Sequence, residues 1–125
     1  MAEEQSKVCS GGSKLVFACS GAADVGEVTD LAARKMTADG TAKMFCMAGI
    51  GGKVEPIMKV TRAASKVLAL DGCSLNCVKH SLEEAGFKGF LHLQLGEIGM
   101  EKGKAPASDE NIDKVCTEAE QMLSE

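Results

Sequence analysis

Apolar residues along this chain follow two rhythms that take turns. The run KLVFACSG, Lys14 to Gly21, is apolar until Ser-Gly closes it, which predicts a strand buried on both faces. Next, AADVGEVTDLAARKMTADG sets Val25, Val28, Leu31, Ala32 and Met36 at helical spacing, with Gly40 placed as a helix-ending glycine. A second apolar run, AKMFCMAGIGG from Ala42 to Gly52, predicts a second strand that ends in glycines. VEPIMKVTRAASK predicts a helix with Pro56 tolerated in its first turn. KVLALDG is a third strand, and LNCVKHSLEEAG a helix stopped at Gly86. GFLHLQLG alternates instead. Leu91, Leu93 and Leu95 share one face and Phe90, His92 and Gln94 the other, as in an edge strand or one covered on a single side. EIGMEKGKAPA reads as a loop. Ser108 or Asp109 then caps a last helix carrying Ile112, Val115, Cys116, Ala119 and Met122.

Strands alternating with helices long enough for crossovers predict a parallel sheet covered on both faces. The expected fold is a single-domain α/β unit over residues 14–125, with an open Rossmann-like or flavodoxin-like sheet of about four strands. Strand orders 2-1-3-4 and 3-2-1-4 both fit this pattern. Residues 1–13 are polar, with Gly11-Gly12 near their end, and read as a flexible tail.

Composition narrows the function. At 125 residues and 45% hydrophobic content, the chain is long enough and apolar enough for one globular core. There is no Trp, no Tyr and only four Phe, and the net charge is −4. Both facts speak against nucleic acid, which needs stacking surfaces or a basic groove. No apolar run is long enough to span a bilayer, and MAEEQSKVCSGGSK has no apolar signal core. The expected location is cytoplasmic, where thiols stay reduced. Six cysteines in that setting point to metal or redox chemistry more than to disulfides.

Three of those cysteines recur at equal intervals: Cys19, Cys46 and Cys73 are 27 residues apart. Each closes a predicted strand. Parallel strands end on one edge, where open α/β sheets bind ligands, so these thiols should converge there. Cys77 lies one helical turn beyond Cys73 and is the candidate fourth member. Four thiolates suit tetrahedral zinc, and the expected partner is a metal ion. The competing reading is that small cysteines simply fill the core, which applies best to Cys46 between Phe45 and Met47. Cys116 sits on the apolar stripe of the last helix and reads as core. Cys9 lies on the tail, either a ligand folded over the edge or a free thiol. His80 reads as an exposed helix residue, and His92 carries no motif.

Other chemistries fail on single positions. For a Walker A loop AGIGGK needs a glycine at Met47 and Ser or Thr at Val54. A dinucleotide fingerprint needs glycine at Val54. A cysteine-phosphatase loop starting at Cys19 needs an arginine where Val25 stands.

Three segments in order, CSGAADVGEVTDLAARK (Cys19 to Lys35), FCMAGIGG (Phe45 to Gly52) and DGCSLNC (Asp71 to Cys77), carry a family resemblance. The chain resembles the DGC-domain proteins, small prokaryotic proteins named for their central Asp-Gly-Cys, from about Lys14 to Met122. That resemblance implies zinc binding through shared cysteines, here Cys19, Cys46, Cys73 and Cys77. Some members carry a further cysteine where this chain has Ala22, for which Cys9 is the natural substitute. The expected function is therefore a zinc-binding protein acting as sensor, carrier or catalyst. Thiol redox or sulfur transfer through Cys73 and Cys77 is the alternative, and another soft metal or cluster a further one.

Overall fold

The computed structural model describes residues 13–125; Cys9 and nearly all of the expected tail lie outside that range. The strands are β1 (Lys14–Ala18), β2 (Lys43–Met44), β3 (Lys66–Asp71) and β4 (Leu91–Gln94). Five α-helices accompany them: α1 (Asp24–Asp39), α2 (Met47–Gly51), α3 (Glu55–Ala63), α4 (Cys77–Glu84) and α5 (Asp109–Ser124), with a 3-10 turn at Leu95–Ile98. All strand pairs are parallel, in the order β2-β1-β3-β4. The α/β expectation thus holds, with the first of the two expected orders.

Side-chain alternation explains the layering. Val16, Ala18, Leu68, Leu70 and Leu93 point to one face and meet Val28, Ala32 and Met36 of α1 and Val115, Ala119 and Leu123 of α5. Leu15, Phe17 and Ala69 point to the other and meet Ile50 of α2, Met58 of α3 and Val78 and Leu82 of α4. β1 and β3 are apolar on both faces, so they take the middle of the sheet. Each fully buried Leu, Val or Phe here contributes roughly 1.5–3 kcal/mol over its exposed state. Gly40 ends α1 in the left-handed conformation (φ 80°), and the Ser108 hydroxyl caps α5 by accepting from the Asn111 amide at 3.2 Å.

Three expectations need correction. The run Ala42–Gly52 is not one strand: only Lys43–Met44 pairs, and Met47–Gly51 coils into α2. Short apolar runs do not distinguish the two states, and packing of Ile50 against the lower core decides for helix. AGIGGK is accordingly mostly helix, with Gly49 so close to Ile57 that a Cβ would lie 2.6 Å from its side chain. Helix α4 starts at Cys77 rather than at Leu75.

Candidate functional site

The carboxyl ends of β1, β2 and β3 open onto a shared edge. The Cys19 amide donates to the Leu70 carbonyl at 3.0 Å, which extends the central ladder one residue past β1. The Phe45 amide donates to Val16 at 2.9 Å and does the same for β2. Cys46 then forms the N-cap of α2, and Cys77 is the first residue of α4. As a result Cys19, Cys46 and Cys77, from three separate connections, line one cavity of about 560 Å³. Cys46 and Cys77 are exposed, and Cys19 is half-buried with its sulfur against Gly21.

Cys73 does not join them. It lines a neighbouring cavity of about 420 Å³ with Gly72, Leu75, Gln94 and Met100, and packs against the α1–α5 core. The turn between Cys73 and Cys77 separates the two cavities. Asn76 adopts a left-handed conformation there (φ 54°, ψ 47°). Cys116 is buried at the α1–α5 interface, its thiol 3.5 Å from the Ala32 carbonyl. Burial pushes that thiol up to about 11, so it stays protonated. His80 is exposed, 3.7 Å from Glu83.

The Asp71-Gly72 pair is locked from several sides. The Asp71 carboxylate is 1% exposed, yet it accepts from the Val78 amide at 2.8 Å and the Lys79 amide at 3.1 Å. It thereby caps α4 from the end of β3. Its second oxygen also meets His92 Nε2 at 2.9 Å, which ties in the edge strand β4. Periodicity offered no sign of this role for His92; β4 pairs with β3 so that His92 lies beside Ala69, and its imidazole reaches diagonally to Asp71. Gly72 passes directly under α1, where a Cβ would stand 2.9 Å from the Val25 carbonyl. The carboxylate already occupies two N-terminal amides of α4. It thereby offsets the positive end of that helix.

The rest of the cavity is shaped by α1. The buried Thr29 hydroxyl donates to the Cys19 carbonyl and fixes the turn after β1. Asp30 accepts from Ser20 Oγ at 2.6 Å and Arg34 Nε at 2.8 Å. Burial works to raise the Asp30 carboxyl, but those two hydrogen bonds and the Arg34 charge outweigh it and hold it below the usual range. Asp30 and Arg34 are the charged residues of the lining, and they neutralise each other.

The donor chemistry suits a soft or borderline metal: three thiols and no lysine on one cavity wall. Their placement is open. Among the described residues no three Cys, His, Asp or Glu side chains stand close enough to hold one ion. Among the described residues, too, no helix is long and apolar enough to cross a membrane.

Fold and site together define a small parallel α/β protein with cysteines gathered past the carboxyl ends of its strands. The DGC domain model matches residues 15–119, and the chain belongs to that family. It is also similar to the "Anaerobic and virulence modulator AnvM" of Pseudomonas aeruginosa, with 34% identity over 111 residues, 88% of this chain and 85% of that protein. No solved structure matches it.

Proposed function

We propose that this protein binds a thiophilic metal ion, zinc foremost, through Cys19, Cys46 and Cys77, with Cys73 as the fourth donor. The observation that carries the reading is the shared cavity: three cysteines from three different strand-to-helix connections line it. Residues that served only as small core fillers would be buried, whereas Cys46 and Cys77 are exposed. Each face of the sheet carries a hydrophobic layer of its own, and a domain of this length has enough core to make a purely structural staple unnecessary. Accessible ligands suit an ion that comes and goes, so a sensor or carrier in the reducing cytoplasm fits best. Bound zinc would supply a tetrahedral centre that draws separate loops into one geometry.

Metal analysis after anaerobic, tag-free purification tests the proposal, together with competition against a chromophoric chelator. The expected result is about one zinc per chain. Cys19→Ser, Cys46→Ser and Cys77→Ser should each weaken binding by more than the roughly 10–100-fold typical of outer-shell partners. Parent-like affinity in all three would refute the site. A metal-free protein with a reversibly oxidised dithiol would put thiol chemistry in its place.

A further inference from the structure

We infer that the turn Cys73–Asn76 is a metal-driven switch. It carries Cys73 from its own cavity into the ligand set of Cys19, Cys46 and Cys77, and it moves the exposed Leu75 with it. The inference rests on the metal-binding reading above and adds what the metal does to the protein.

Spacing and position disagree here. Cys73 and Cys77 are separated by three residues, within the spacing that lets two cysteines share one zinc ion. In the structure they line different cavities on either side of the turn. An ion held by Cys77 therefore has its best remaining soft donor next door.

Both ends of the turn are fixed and its middle is not. Asp71 is held by three hydrogen bonds, and Gly72 is wedged beneath Val25. On the far side, the capped amides of Val78 and Lys79 anchor α4. Between these anchors lie four residues outside any strand or helix. The Asn76 carbonyl accepts from the His80 amide at 2.9 Å and ties that residue to α4, but Cys73, Ser74 and Leu75 are held only by the long bond from the Asn76 amide to the Cys73 carbonyl at 3.2 Å, with Gln94 Nε2 reaching Asn76 Oδ1 at 3.4 Å. Asn76 is left-handed, which costs an L-residue more than the right-handed form, although asparagine tolerates it better than most. Leu75, at the tip, is 65% exposed, so little packing resists its displacement.

The chemistry balances without an oxidant. The Cys73 S–H bond breaks, its proton goes to solvent, and a sulfur–metal bond forms. What is lost is the half-burial of one small thiol against the α1–α5 core. What changes outside is the position of Leu75 and the opening of the cavity beside Gln94, Met100 and Lys102. Metal occupancy thus becomes a change of surface.

The chain has no Trp and no Tyr, so Leu75→Trp places a single strong emitter on the tip of the turn. We expect its emission to shift on zinc addition and to saturate at the stoichiometry found by chelator release. In the Cys73→Ser background that shift should vanish, and zinc should bind at least about tenfold more weakly. Amide exchange on the parent chain reads the same movement without substitution: residues 73–76 should gain protection with zinc. Zinc binding with no emission shift and no change in exchange overturns the switch and leaves the metal site standing. An equal shift with and without Cys73 also overturns it. Absence of zinc binding overturns both readings.

Discussion

Replacing Asp71 with alanine should destabilise this fold more than its small volume suggests. The carboxylate is 1% exposed and accepts three hydrogen bonds, from Val78, Lys79 and His92. Removing it strands the amide of Val78, a residue itself 2% exposed, and such an unpaired buried donor costs about 1–3 kcal/mol. Lys79 and His92 are less enclosed and regain water in part, so each loses roughly 0.5–1.5 kcal/mol. The expected loss is about 3 kcal/mol, a large share of the ~5–15 kcal/mol that holds a typical domain together. For a chain of this length that lowers the midpoint by about 10 °C. Asp71→Asn keeps one acceptor and should lose about half as much, while retaining most of the zinc affinity. Without Trp or Tyr the transition is best followed by far-ultraviolet circular dichroism. Asp71→Ala within about 0.5 kcal/mol of the parent, the range of neutral surface changes, would refute the capping argument.

Four further outcomes follow from other contacts. Under native alkylation Cys46 and Cys77 should react first and Cys116 last, as read by mass spectrometry; early labelling of Cys116 would contradict its burial. Because the folded Cys116 thiol sits at about 11 against 9.0 for a free one, stability should fall as pH rises from about 9 through 11, and fall less in Cys116→Ala. Asp24 is held below the ordinary carboxylate value of 3.8 by the Gly103 amide foremost, then by that of Ala105. Its tether is present above that pH and weakens as pH drops through the lowered value, so Asp24→Asn at neutral pH should speed amide exchange at Gly103 and Ala105, and acid should lower their protection relative to the intrinsic rate. Gly72→Ala would set a Cβ 2.9 Å from Val25 backbone atoms, which have no room to yield. Denaturation should show a loss of about 1–3 kcal/mol or more, and a neutral result would mean α1 does not sit on this turn.

Local pattern alone carried much of the fold. The stripe of α1 and its glycine stop, the hydroxyl cap of α5 and the edge character of β4 all follow from periodicity and capping, which act between near neighbours. Equal cysteine spacing and strand-to-helix alternation also placed Cys19 and Cys46 on one edge, because parallel strands end together. Where propensity was divided, tertiary packing decided. Ala42–Gly52 became a two-residue strand and a helix because Ile50 fits the lower core. His92 gained its partner only when β4 took its place beside β3, which brings the imidazole diagonally within reach of Asp71. Cys73 and Cys77 line different cavities, with a left-handed Asn76 between them, and hydrophobic spacing records neither fact. A sequence fixes how residues repeat along the chain, while which side chains finally meet depends on contacts between segments that are distant in the chain.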